Sequence, residues 1–123
     1  MLVFMWTVEL ELIKDWLDTL DQDTAYQVYV ALDILREQGP NLKRPLVGKI
    51  EGSIIKSMKE LRPGSTGGSE IRILFVFDPK RKAIMLVGGD KQRKWSKWYA
   101  KAIPEAESRY VQWLEDQYGK DRS

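Results

Sequence analysis

Apolar residues recur along this chain with two different periods, and the changes between them mark out its elements. Leu2 to Val8 mixes β-branched and aromatic residues and predicts a short strand. From Glu9 the period lengthens. Leu12, Trp16 and Leu20 recur at steps of four, with Ile13 and Leu17 beside them, so an amphipathic helix is expected over 9–20. Asp21 to Asp23 breaks the pattern, and either aspartate can cap a second helix that runs to about Gln38. Ala25, Val28, Ala31, Leu32 and Leu35 form its apolar stripe, and Gly39-Pro40 stops it. The short connection predicts an antiparallel helical hairpin.

Pro40 to Gly52 reads as a basic loop, with Lys43, Arg44 and Lys49. The period then falls to two. Ile54 to Arg62 is extended, with Lys59 and Leu61 on one face and Met58, Glu60 and Arg62 on the other. Pro63 to Ser69 is a long hairpin loop. Glu70 to Phe77 is the strongest strand: Ile71, Ile73, Phe75 and Phe77 alternate with Arg72, Leu74 and Val76. Both faces are largely apolar, which predicts a central strand covered on each side. Asp78-Pro79-Lys80-Arg81 is a tight turn, and Ala83 to Val87 is the next strand. Gly88-Gly89-Asp90 ends it. A final helix is expected from Pro104 as its first residue, with Ala106, Tyr110, Trp113, Leu114 and Gln117 inward and Gly119 at its end. The tail from Lys120 is expected to fray. The whole predicts one α+β domain over 1–123, a helical hairpin packed on a small antiparallel sheet with a C-terminal helix.

Composition narrows the chemistry. The chain has neither cysteine nor histidine, which removes thiolate metal sites, disulfides, His-containing triads and the commonest general base. No metal and no cofactor is expected. The first residues lack a basic leader region, and no run of 18 apolar residues occurs, so a cytoplasmic protein with no membrane partner is expected. Net charge is only +2 but unevenly placed. Residues 1–39 hold Lys14 and Arg36 against eight acids, whereas 72–101 holds nine cations against Asp78 and Asp90. Such a basic half can meet phosphates; it can equally be a solvated surface.

A specific site follows from the alternation. If Glu60, Arg62 and Arg72 share a sheet face, with Lys91 and Lys94 just past a strand end, they make a cationic site with a carboxylate inside it. Guanidinium groups suit bidentate recognition of phosphate and can stabilise a phosphorane-like transition state. RNA brings its own nucleophile, the 2′-OH. Without histidine, the base would be Glu60, Asp90, Tyr99 or a lysine of lowered pKa. Lys59, Lys80, Arg81, Arg93 and Lys97, with Trp98 among them, are candidates for RNA contact. Trp95, Trp98 and Tyr99 fit helical spacing, so they could stack on bases or simply face the core. Glu60–Arg62 and Asp90–Arg72 could equally be structural ion pairs.

The segments KELRPG, EIRILFVFDP, GGDK and IPEAESRY, in that order, resemble the phage-derived HigB-like group of the RelE/ParE toxin superfamily. The likeness covers about residues 40–110, and the helical hairpin before it also fits. It implies a RelE-like fold and a toxin of a type II toxin–antitoxin system. That toxin would be a metal-independent, ribosome-dependent mRNA endoribonuclease that inhibits translation. It also implies a cognate helix-turn-helix antitoxin and a toxin–antitoxin hetero-oligomer. Arg62 matches the arginine of E-L-R, Arg72 that of R-I-L-F, and Lys91 and Lys94 the basic positions after the last strand; Glu60, Lys59 and Asp90 match less closely. Related sequences often carry a histidine just before K-E-L-R, where Ile55-Lys56-Ser57 stand here. Two other functions remain open on the same fold: inhibition of DNA gyrase in the manner of ParE, and a non-catalytic module that binds an antitoxin.

Overall fold

A computed structural model describes residues 5–65 and 67–119. Its frame is a five-stranded sheet built from β1 (Thr7–Glu9), β2 (Val47–Lys49), β3 (Lys59–Leu61), β4 (Ile71–Phe77) and β5 (Lys82–Asp90). The spatial order is β1-β5-β4-β3-β2. From β5 through β2 the neighbours are antiparallel, while β1 joins β5 in parallel, so the expected antiparallel sheet is mixed at one edge. The helices are α1 (Lys14–Leu17), α2 (Gln22–Gln38) and α3 (Trp95–Tyr118). The α+β class is as expected.

Alternation along β4 divides the core in two. Ile71, Ile73 and Phe75, with Leu61 and Met85 beside them, pack under Val28, Leu32 and Leu35 of α2. Leu74 and Val76, with Met58, Ile84 and Leu86, pack under Ala102, Ala106 and Trp113 of α3. The central, doubly covered strand is therefore where the sequence puts it. A register shift at Leu74/Phe75 bulges β5, which runs on through Gly88-Gly89 to Asp90.

The segment 9–20 departs from expectation. It forms a 3-10 turn over Glu11–Ile13 and one α-helical turn, and not a helix of three turns that could make a hairpin with α2. The reason is that it straddles a sheet edge. Leu12 packs into the core under α3, while Ile13 and Leu17 pack into the core under α2. A single helical stripe cannot face both. Neither turn has a side-chain cap. By contrast, α2 is capped as expected: Asp21 Oδ1 accepts from the Thr24 N–H at 2.7 Å, which holds the Asp21 carboxyl below its ordinary pKa.

Three further segments differ. Strand β2 lies inside the expected loop; three residues between prolines and glycines carry too little alternation to show, yet Val47 and Gly48 are buried. Strand β3 covers only the end of the extended stretch, because residues before it fold into turns. There Glu107 Oε2 of α3 accepts from Ser53 Oγ at 2.8 Å and from the Ile54 N–H at 2.7 Å. Pro104 lies inside α3 and does not start it. Pro104 and Ala100, whose carbonyl loses its partner, are both solvent-exposed, so water can replace the missing bond. Gln117, expected to face inward, is exposed. Half of the expected first strand and the tail from Lys120 lie outside the described residues.

Candidate functional site

Cross-strand register makes the site. Glu60 sits opposite Leu74, so it lies on the α3 face, two residues along from Arg72. Arg62 extends from the same face of β3 just past its end. Gly48 of β2 pairs with Glu60, and a Cβ at Gly48 would fall on the Arg62 guanidinium. The glycine is what lets Arg62 lie flat across the edge strand. Gly89 plays the same part on the other side: it pairs with Arg72, and a Cβ there would strike the Trp98 indole.

Glu60 is the hub. It is 4% exposed, and three groups meet its carboxylate. Tyr99 Oη donates to Oε1 at 2.6 Å, Arg72 Nε lies 3.3 Å from Oε1, and Arg62 Nη2 lies 3.3 Å from Oε2. Arg72 Nη1 also donates to the Ile71 carbonyl at 2.8 Å, which orients its fork. The Nε atoms of Arg62 and Arg72 are both buried and neither makes a hydrogen bond. For Arg72 this means that the 3.3 Å approach to Glu60 is an ion pair whose N–H points off line. The two guanidinium groups thus flank a single carboxylate that holds them in place.

Lys91 completes the cluster. Its side chain is buried, with Nζ 3.9 Å above the Trp95 ring, 5.3 Å from the Tyr99 ring and 4.0 Å from Glu70 Oε2. Desolvation, then the Arg72 charge, lower its pKa against the opposing pull of Glu60 and Glu70. Tyr99 moves the other way. Burial, together with the bond to Glu60, pushes its pKa up to about 12. It therefore stays protonated at neutral pH and acts as a donor, not as the base.

Helical period splits the remaining basic residues. Trp95 meets Lys91, and Tyr99 meets both Lys91 and Glu60. Lys94, Trp98 and Lys101, on the adjoining face of α3, line a separate cleft of about 500 Å³ with Arg93 and Lys97 beside β5. Lys94 is thus placed with Arg93, Lys97 and Trp98, and not among the groups around Glu60. Lys59 points to the opposite sheet face. It stands across from Lys49 and, with Lys43 and Arg44, lines a cleft of about 400 Å³ at the β2 edge. Lys80 and Arg81 are at the far end of the sheet, five residues (~17 Å) or more along the strand from Arg72. There Lys80 lies over Tyr118 and Arg81 over Trp6. Asp90 is a capping residue: Oδ1 accepts from the Glu70 and Gln92 N–H groups.

Trp95 was legible only as an aromatic on a helix, and Tyr99 as that and as a candidate base, not as the donor that fixes Glu60. The signal that could have placed them is the i, i+4 step from Lys91 through Trp95 to Tyr99. Among the described residues, no three His, Cys, Asp or Glu side chains come together as metal ligands, and no helix is long and apolar enough to cross a membrane.

Strand β3 with Glu60, strand β4 with Arg72 and the first half of α3 with Tyr99 all fall inside one family signature. Residues 15–111 match the model of the family described as phage derived protein Gp49-like. The chain belongs to the Gp49-like family. It is also similar to two proteins of Mycobacterium tuberculosis (strain ATCC 25618 / H37Rv). It is 49% identical over 109 residues to one named "Putative toxin HigB2", a match that covers 89% of this chain and 54% of that protein. It is 45% identical over 107 residues to one named "Putative toxin HigB3", covering 87% of this chain and 91% of that one. The chain thus spans about half the length of the first relative and nearly all of the second. The expected kinship with HigB-like toxins agrees with these names, and the matched span of the Gp49-like family contains every residue of the Glu60 cluster.

Proposed function

We propose that this Gp49-like protein is the toxin of a toxin–antitoxin pair and cuts messenger RNA on the ribosome without a metal, and that a cognate antitoxin neutralises it. The observation that carries the reading is the pair of guanidinium groups, Arg62 and Arg72, held on either side of the buried Glu60 carboxylate. Such a pair suits an anion bound edge-on to two guanidinium planes. The names of the two mycobacterial relatives support the toxin part of the reading.

In this reading the RNA 2′-oxygen attacks the adjacent phosphorus, and the bond from phosphorus to the 5′-oxygen breaks. The products are a 2′,3′-cyclic phosphate and a free 5′-OH. Arg62 and Arg72 bind the phosphate and stabilise the charge that builds on its equatorial oxygens. Glu60, fixed by Tyr99, keeps the two like charges side by side. Lys91, in its neutral form, accepts the 2′-OH proton; burial and the Arg72 charge lower its pKa, which favours that form. The departing 5′-oxygen takes a proton from the resulting ammonium or from water. Lys94, Arg93, Lys97 and Trp98 guide the strand beside α3, while Lys59, on the opposite sheet face, does not touch the same phosphate. Lys80 and Arg81 lie too far along the sheet to touch the same phosphate and would meet ribosomal RNA if they contact RNA at all.

The test is expression of the chain with and without its neighbouring antitoxin, with RNA 5′ ends mapped across the transcriptome. New 5′-OH ends within translated frames are expected, and Arg62→Ala or Arg72→Ala should abolish them. Growth arrest with intact mRNA overturns the endoribonuclease reading.

A further inference from the structure

Trp95 is the exposed aromatic nearest the Glu60 cluster, and it is 58% exposed. One face of its indole is covered by the Lys91 ammonium at 3.9 Å, while much of the ring remains open to solvent. Its neighbour on the same side of α3, Tyr99, hydrogen-bonds Glu60. The backbone there is strained: Arg93 has φ 63° and Trp95 φ 23°, in a region that side chains other than glycine rarely adopt. Strain of this kind costs free energy and persists where the surrounding structure imposes it, often beside a functional site. A large apolar ring held in a strained start of a helix contributes little to the core, since Trp95 joins neither apolar cluster.

We propose that Trp95 is a stacking platform for the nucleobase next to the cleaved phosphate, and so a positioning residue for the strand. This rests on the endoribonuclease reading of the same site. The Lys91 side chain covers one face of the ring and holds the indole in place, and the open face takes a base of either class, as base–aromatic stacking is tolerant of sequence. The phosphate attached to that nucleotide then falls towards Arg62 and Arg72. The platform sets which internucleotide bond is presented, without reading the base edge.

The experiment uses a labelled single-stranded RNA with 2′-O-methyl riboses, which cannot be cleaved, with an abasic residue placed at each position in turn. Binding is followed by fluorescence anisotropy at low salt, and on ribosomes programmed with the same RNA. For the wild type, affinity should fall at one abasic position. Trp95→Leu should weaken binding of the intact RNA by about 5-fold to about 150-fold and be indifferent to that abasic residue, while Trp95→Phe keeps most of the affinity. Equal binding by wild type and Trp95→Leu, or an unchanged abasic profile in Trp95→Leu, overturns the stacking role and leaves RNA cleavage standing. No RNA binding by the wild type, free or on ribosomes, overturns both.

Discussion

Tyr99 reaches across from α3 to donate a 2.6 Å hydrogen bond to Glu60 on β3, and so ties the helix to the carboxylate that holds two arginines. Tyr99→Phe removes the donor and leaves a buried carboxylate oxygen with Arg72 alone. A loss of about 1–3 kcal/mol is expected in denaturant unfolding at pH 7. The same bond gives an alkaline signature. Raising the folded pKa of Tyr99 from the ordinary 10.0 to about 12 means that its stabilising effect is complete below pH 10 and disappears as pH rises through 12. Tyr118, bonded to Asp78, is also raised to about 12 and acts in the same sense. Lys91, with its pKa lowered, acts in the opposite sense, so stability gains from its deprotonation as pH rises towards 10.5. Burial, with the Asp78 charge, also raises Tyr110, so ultraviolet titration should show three late-titrating phenols, and Tyr99→Phe should remove one of them.

The two arginines differ in what their loss exposes. Arg72 is the more buried, and its removal leaves Glu60 facing Arg62 and Tyr99 only. Arg72→Ala should destabilise by less than the ~3–5 kcal/mol of a buried pair whose surviving charge is left alone, because Arg62 and Tyr99 still meet Glu60. Arg72→Lys keeps the charge but loses the fork; it should restore much of the stability while leaving RNA cleavage low. Equal recovery of both would contradict a phosphate-binding role for the fork.

How much of this was readable beforehand depends on what each residue has to satisfy. Parity along β4 put Arg72 with Leu74 and Val76, and parity along β3 put Glu60 with Arg62; a period of two admits no other answer once both strands pair. Segment 9–20 was misread because Leu12 and Ile13 serve opposite cores, which no helical stripe can encode. Strand β2 is fixed by its pairing with β3, through long-range bonds such as the 2.7 Å one from the Arg62 N–H to the Leu46 carbonyl, and not by its own composition. Lys91 and Lys94 flank the turn that precedes α3, and the turn points Lys91 towards Trp95 and Tyr99 and Lys94 into the cleft beside β5, a divergence that spacing in sequence does not encode.

Lys91 should give the site its pH dependence. If its neutral form is the base, cleavage rises with pH and levels off above the lowered folded pKa. Lys91→Arg keeps the charge but cannot lose its proton at these pH values. Its residual rate should be low and flat over the range where the wild type climbs. Parallel profiles for the two proteins would assign the proton to another group.

Arg109 is a structural counterpart outside the site. Its Nη1 donates to the carbonyls of Leu86, at 2.6 Å, and Leu12, at 3.0 Å, so it pins α3 to the bulged strand β5 and to the segment that straddles the sheet edge. Arg109→Met should destabilise by about 2–3 kcal/mol, since it strands two carbonyls that accept from a charged donor. Glu105→Ala, which removes only the half-exposed ion pair with Arg109, should change stability by less than about 1 kcal/mol. Thermal or urea melts of the two variants side by side distinguish them, and neither melt depends on activity.

The central claim is that Arg62 and Arg72, held by Glu60, bind and activate a phosphate of RNA. The most direct measurement incubates purified protein with ribosomes programmed with a defined end-labelled message, without added divalent cation beyond what the ribosome requires. Cleavage should appear in wild type as a 2′,3′-cyclic phosphate end and a 5′-OH end, and vanish in Arg72→Ala that has been verified as folded. A folded Arg72→Ala that cuts at the wild-type rate, or a wild type that leaves the message intact, would contradict it.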